Sequence, residues 1–427
     1  MGIKKSLQSA FQATAIKTLL TVERVQTGVS FNPLDRQFAI DPYPTYRRLR
    51  EKDPVHRSKL TSGLVFTRYE DVSTILRDGQ RFYTDGRKQP QYEKLRERAI
   101  KEGVMDEDDD VAGSMLRMDP PDHTRLRSLV NRAFTPRTVE ALRPRIDAFV
   151  DEQLDRAEKN GEMDIIRDIA TPLPVTVIAE MLGIPTKDRE RFKHWSDEIV
   201  LTLGISNYDD ARRSRAAGQE LRAYLEPIIE ERRREPREDL ISGLAAVPEA
   251  GDKLSVDEMY ATISLLLVAG NETTTNLIGN GMLALMRHPE EMERLRSDPS
   301  LLENAVEELL RYDSPVQFTS RFPIEDTDVN GYPVKAFEEL LVSLGAANRD
   351  PAQFEDPDRL YLARKEVRHL SFGHGLHFCL GAPLARIEGQ SAISAMVQRF
   401  PEMRLKGEPK WGNNLILRGL TTLPVTI

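Results

Sequence analysis

Apolar and polar positions alternate with two different rhythms along the chain, and the change falls near Asp119. Upstream, helical spacing is brief. It predicts one helix from Tyr46 to Lys52, ended by Pro54. Val55 to Leu60 and Leu64 to Arg68 read as the strands of a hairpin, with Gly63 expected to supply the positive φ of the Thr61-Ser62-Gly63 turn. Residues 84 to 114 lack periodicity and read as a solvated loop; their acidic run, Asp106 to Asp110, lacks the glycine and spacing of a calcium loop. Downstream, helical spacing dominates. Charges of both signs from Arg212 to Asp239 predict an exposed helix face. Ser255-x-x-Glu258 is a capping box for a long helix closed by His288-Pro289, and Ser300-x-x-Glu303 predicts another that stops before Ser314-Pro315. Short strand-like runs lie near Leu340 to Leu344 and Leu415 to Ile427. No internal repeat or linker interrupts residues 29 to 427, so the pattern implies one large, mainly α domain with small β-sheets. Residues 1 to 28 form an extension, amphipathic or frayed.

Composition narrows the function. The chain has 427 residues, 60 basic and 68 acidic, for a net charge of −8. Without a basic tract, nucleic acid is excluded as a partner. No run of about 18 apolar residues is present, so no membrane span is expected and the protein reads as cytoplasmic. The one cysteine, Cys379, excludes an internal disulfide, a zinc ribbon and a thiolate-held iron–sulfur cluster.

That cysteine lies in Phe372-Gly373-His374-Gly375-Leu376-His377-Phe378-Cys379-Leu380-Gly381. Three glycines imply a tight turn pressed against something flat. Pro383 suits the first turn of a helix running to Phe400. The thiol therefore precedes a helix N-terminus, where free N–H groups and the dipole favour a thiolate and tune a metal-bound sulfur. The stretch resembles the haem-binding loop of the cytochromes P-450, the haem-thiolate monooxygenases, soluble bacterial type. Three more motifs follow the family's order and spacing.

Glu308-Leu309-Leu310-Arg311 places acid and guanidinium three apart on one helical face. The resemblance implies a buried structural pair joined by a second arginine, and Arg359 occupies the matching stretch. In Asp119-Pro120-Pro121-Asp122-His123-Thr124-Arg125-Leu126-Arg127, His123 and Arg127 lie four apart and can clamp a carboxylate. By resemblance they bind a haem propionate together with Arg321 and His377. Arg125, Arg132 and Arg137 are expected to face a partner protein. Ala269-Gly270-Asn271-Glu272-Thr273-Thr274 sits in the long helix after the apolar run Leu265 to Val268, and predicts a local opening of that helix.

The resemblance implies haem b with Cys379 as axial ligand and Gly381 in the cofactor loop. Dioxygen binds beside Ala269, Thr273 hydrogen-bonds it, and Glu272 relays protons. Leu265, Val268 and Ala269 are candidates for the pocket wall, as are residues 84 to 114, Val316 to Phe318 with Gln317, and Leu420 to Leu423. An apolar substrate is expected, hydroxylated or epoxidised with electrons from a ferredoxin or flavodoxin and its reductase. A peroxide-driven enzyme and a non-catalytic haem protein are the rival readings.

Overall fold

A computed structural model describes residues 2–106, 114–203, 207–245 and 254–427. Helix α1 spans Gly2–Thr27 and α2 spans Tyr43–Lys52. The second starts earlier than the apolar spacing suggests, because Pro44 fits its first turn. Strands β1 (Val55–Arg57) and β2 (Leu64–Phe66) form the expected hairpin. Its positive φ falls on Ser62, at 60°, rather than on Gly63. Gly63 answers a different need: a Cβ there would lie 2.6 Å from the carbonyl of Glu339, the residue that leads into the neighbouring strand.

Helix α3 (Tyr69–Arg77) and strand β3 (Phe82–Tyr83) follow. The segment expected to be aperiodic contains α4 (Tyr92–Lys101). Its Lys, Arg, Glu and Leu residues favour helix without an apolar stripe, since no residue of α4 is buried. Glu107 to Asp110 lie outside the described residues.

The helical part comprises α5 (Asp122–Ala133), α6 (Arg143–Asn160), α7 (Pro172–Met181), α8 (Arg189–Val200), α9 (Tyr208–Arg234), α10 (Val256–Arg287) and α11 (Leu302–Tyr312). The Ser255–Glu258 capping box forms as expected and starts α10. The Ser300 box does not form. Asp298 instead accepts from the Ser300 backbone and hydroxyl, caps the turn Pro299–Leu301, and leaves α11 to begin at Leu302.

Strands β4 (Phe318–Pro323) and β5 (Leu340–Ser343) complete a five-stranded sheet of order β1-β2-β5-β4-β3. Only the β2–β5 pair is parallel, with Leu64 opposite Leu340. Helix α12 (Ala382–Arg399) follows the cysteine loop, with Pro383 in its first turn. The C-terminal run divides between strands Leu420–Thr422 and Pro424–Thr426.

Helix α10 passes through the main core and packs against α7, α9, α11 and α12. Ile263, Leu267, Ile278, Met282 and Leu285 on α10 meet Ile387, Ile393 and Val397 of α12 in that core. A helix apolar around most of its circumference is buried, as the Leu265 to Val268 run implied. No described helix is long and apolar enough to cross a membrane.

Candidate haem site

The cysteine loop is built backward from α12. Gly381 caps that helix, and the backbone N–H groups of Gly381 and Ala382 point at the Cys379 sulfur. The Cys379 N–H donates to the Phe372 carbonyl at 2.9 Å, which closes the loop. Gly373 and Gly375 take positive φ of 72° and 68°. Gly375 has a second reason to be glycine, since a Cβ there would lie 2.5 Å from the Leu76 carbonyl of α3.

Cys379, Phe378 and Ala269 are exposed, as is Leu376 of the same loop. Burial nevertheless holds the Cys379 thiol above its ordinary pKa, against the pull of the two N–H donors and the Arg127 guanidinium.

Around this thiol the fold gathers cationic and donor groups from three segments. His123 and Arg127 share a face of α5, Arg321 comes from β4, and His377 from the loop itself. The His123 and His377 rings lie 4.3 Å apart between centroids. Both nitrogens of buried His123 lack a partner. Burial and the nearby Arg321 and His123 push the His377 pKa down to about 3. His123 is also lowered, by burial and by Arg127, so both rings are neutral donor–acceptors. Burial lowers the Arg321 pKa to about 10. Its guanidinium donates to the Ser320 carbonyl and the Thr319 hydroxyl, and no carboxylate pairs with it among the described residues. The Asp119 carboxylate, bonded to Lys88, attracts Arg321 without bonding it, so a buried cation with no bonded carboxylate and a buried imidazole without partners are left for an anion to complete. The residues therefore fit a flat group that accepts one sulfur ligand and carries carboxylates. Thr84, whose hydroxyl lies 3.4 Å from His377 Nε2, joins this set without any motif to announce it.

Arg127 also donates to the Phe378 carbonyl, so α5 clamps the loop next to the ligand. Arg125 is part-exposed, with 34% of its side chain accessible. It is paired with Glu258 at the start of α10, whereas Arg132 and Arg137 are exposed.

The stretch Ala269–Thr274 stays helical throughout, contrary to the expected opening. The Thr273 hydroxyl donates to the Ala269 carbonyl at 2.7 Å, a bond back along the helix that needs no break in it. Glu272 is half-buried, and burial, reinforced by the Asp197 carboxylate, raises its pKa while Lys193 opposes. Asn271 Nδ2 donates to Ser196 Oγ at 3.2 Å, so α8 faces this turn of α10. Behind it, Glu388 of α12 is fully buried and hydrogen-bonds Thr274, with its pKa raised by burial to about 8.

Val268 belongs to an apolar cluster with Val200 of α8, Leu417, and the partly buried Ile199, Leu203, Val316 and Ile416. Leu265 is half-buried against the main core. Several pocket expectations need correction. Gln317 is buried with its amide used: Oε1 accepts from Tyr46 and Nε2 donates to the Ser314 carbonyl. Phe318 packs in the aromatic cluster with Phe31 and Tyr46, and Leu420 and Leu423 are main-core residues. The apolar contribution from the C-terminal segment comes instead from Ile416 and Leu417.

The structural pair is present but its third member differs. Glu308 and Arg311 are fully buried and doubly bonded at 2.7 and 2.8 Å. The second guanidinium on Glu308 belongs to Arg364, with Nε 3.1 Å from both oxygens. Arg359 is exposed and contributes its carbonyl, which accepts from both Arg311 and Arg364.

Comparison with known proteins agrees with this geometry. The Cytochrome P450 family model matches residues 63–413. The chain is 42% identical to the polyketide biosynthesis cytochrome P450 PksS of Bacillus subtilis, covering 93% of this chain and 98% of that one. It is 41% identical to the cytochrome P450 monooxygenase PikC of Streptomyces venezuelae, covering 95% and 97% respectively. Among solved structures, P450BioI in complex with hexadec-9Z-enoic acid ligated acyl carrier protein superimposes with a TM-score of 0.84 at 38% identity, over 92% of this chain and 99% of that one. A shared fold and about 40% identity over nearly the whole chain place it in the cytochrome P450 family of haem-thiolate monooxygenases.

Proposed function

We propose that this enzyme inserts one oxygen atom of dioxygen into an apolar small molecule, at a haem b held by Cys379 and fed by a ferredoxin or flavodoxin and its reductase in the cytoplasm. The observation that carries the cofactor assignment is the partnerless His123 and the uncompensated Arg321 beside an accessible thiol. His123, Arg127, Arg321 and His377 would hold the propionates, and the N–H groups of Gly381 and Ala382 would steady the sulfur. Bound haem supplies the iron at which dioxygen is reduced.

The chain's own residues do the rest. Ala269, small and accessible, leaves room beside the Thr273 hydroxyl. Thr273 accepts a proton from the interior side and donates at its Oγ. Glu272, its pKa raised by burial, relays protons toward the half-exposed Lys193–Asp197 pair, whose atoms are 2.5 Å apart. Val200, Val268, Val316, Ile416 and Leu417 exclude water and orient an apolar substrate. Exposed Arg132 and Arg137 suit an acidic electron donor.

The test is reconstitution. The purified holoenzyme is titrated with an apolar ligand library by its Soret band, and hits are turned over with ferredoxin, reductase and NADPH. Product formed with the electron supply, and labelled from oxygen-18 gas, supports the reading. Turnover with peroxide alone would favour a peroxide-driven enzyme, and spectral change without product under either supply would favour a carrier.

A further inference from the structure

Glu307 and Arg386 belong neither to the propionate set nor to the buried Glu308 cluster, yet they meet behind the cysteine loop. Glu307 stands on α11 and Arg386 early in α12. The guanidinium grips the carboxylate with two bonds, at 2.7 and 2.9 Å. His369 takes the same carboxylate from another direction. The Ser371 N–H donates to its Nδ1 at 3.1 Å, so Nε2 carries the ring proton, 3.2 Å from Glu307. Burial would raise the Glu307 pKa, but these donors hold it down at about 2, so the pair is ionised. Phe372 connects the pair to the sulfur. The Arg386 guanidinium lies 4.7 Å from the centre of the Phe372 ring, and the His369 ring lies 5.6 Å from it. The Phe372 carbonyl is the acceptor for the Cys379 N–H.

The charge of Arg386 also reaches the sulfur. Burial disfavours the Cys379 thiolate; Gly381, Arg127, Ala382 and Arg386 favour it. The thiolate in turn favours the charged form of Arg386, after Glu307 has done so. We propose that Arg386 and Glu307 are positioning residues that act through Cys379 to set the reduction potential of the bound iron, Arg386 raising it and Glu307 limiting how much of that charge the sulfur feels. The proposal rests on the reading of Cys379 as the haem ligand. An electron added to the iron increases the negative charge shared with the sulfur. A neighbouring cation therefore favours the reduced form, and an acid that neutralises the cation opposes it. A salt bridge that only braced α11 against α12 would act on stability and leave the potential alone. A cation that only met an electron donor would act on the rate of reduction.

The experiment is a spectroelectrochemical titration of the holoenzyme, with small mediators and no protein donor. At the wild-type midpoint, the ratio of reduced to oxidised haem is expected to fall by about three- to tenfold in R386Q and to rise by a similar factor in E307Q, the scale of one charge that is 33% exposed at Arg386 and 25% at Glu307. R386K is expected to stay near wild type, and the R386Q E307Q double variant to fall between the two single ones. The stretching frequency of bound carbon monoxide is expected to move in opposite directions in R386Q and E307Q, since it follows electron donation from the sulfur. Shifts of potential in the same direction in both variants, as loss of a brace would give, overturn the proposal. Unchanged potentials overturn it too, even where R386Q slows reduction by a ferredoxin. If R386Q does not retain haem, E307Q decides alone, because it keeps Arg386, and an unchanged or lowered potential there overturns the proposal. A wild-type holoenzyme without the thiolate-type carbon monoxide spectrum overturns the cofactor reading itself, and this proposal with it.

Discussion

Arg364 Nε bonds both carboxylate oxygens of Glu308 at 3.1 Å, although the two residues lie on separate segments. Glu308 is thereby flanked by two guanidinium groups with no access to water, Arg311 being the other. Removing one partner of a buried charge costs far more than removing an exposed charge. Arg364→Ala is expected to destabilise the protein by about 3–5 kcal/mol and to reduce haem retention. Arg359→Ala, which spares the carbonyl that matters, is expected to cost within about 1 kcal/mol. Denaturant midpoints of the two variants check this, and a larger loss for Arg359 would contradict the pairing.

Arg321 is a buried cation awaiting an anion. Arg321→Leu is expected to leave the haem-free protein as stable or more stable, by about 1–3 kcal/mol. The same change is expected to weaken haem affinity by more than about tenfold. Opposite signs in apo unfolding and haem titration would identify a binding charge. A parallel loss in both would make Arg321 a structural residue.

Thr273 gives its hydroxyl to the Ala269 carbonyl, so the helix does not depend on it for continuity. Thr273→Ala is expected to retain haem content and substrate binding. The fraction of electrons reaching product is expected to fall by about tenfold, with hydrogen peroxide rising to match. Measuring NADPH consumed against product formed decides the point. Full coupling in the variant would remove the hydroxyl from proton delivery.

The Glu388 carboxyl, held at a pKa of about 8 by burial, makes a prediction about pH. The folded protein keeps a proton that the unfolded chain loses near pH 4–5. Stability attributable to this group therefore falls as pH rises through that window to about 8, then levels off, with a limiting slope of about 1.4 kcal/mol per unit. Glu388→Gln is expected to flatten this fall and to be the more stable protein at pH 8. Unfolding midpoints between pH 5 and 9 read the slope, and an unchanged slope in the variant would assign it elsewhere.

Arg132 and Arg137 are exposed, whereas Arg125 is engaged by Glu258. Reversing Arg132 or Arg137 is expected to slow reduction by an acidic donor several-fold and to lessen its salt dependence. Arg125→Glu is expected to act chiefly on stability, by loosening α5 from α10. Stopped-flow reduction across a salt series separates the two effects.

Much of the site could be read before folding because its signals are local. The Ser255 capping box, the His288-Pro289 stop and the glycines around Cys379 each act within a few residues. The second arginine could not be read in this way. Arg359 and Arg364 are five apart in an irregular stretch, and only the path of the chain decides which guanidinium turns inward. Gln317 failed for a related reason. The resemblance puts its segment at the pocket, but Tyr46, far away in sequence, takes the amide. Helix α4 was hidden because its residues favour helix without burying any face. Ile416 and Leu417 reach Val268 through a single bridge between Val316 and Leu417, which no periodicity reveals.

The contact between Gly375 and the Leu76 carbonyl has a consequence for how this protein tolerates change. The cysteine loop is moulded on the backbone of α3, and a Cβ on Gly79 would lie 2.4 Å from Leu376 Cδ1 on the other side. A backbone mould is indifferent to which side chains α3 carries outward, but it is sensitive to length. Substitutions on the solvent side of Tyr69–Arg77 should pass unnoticed at the sulfur. A one-residue insertion or deletion there would rotate the carbonyls under the loop and displace the ligand itself.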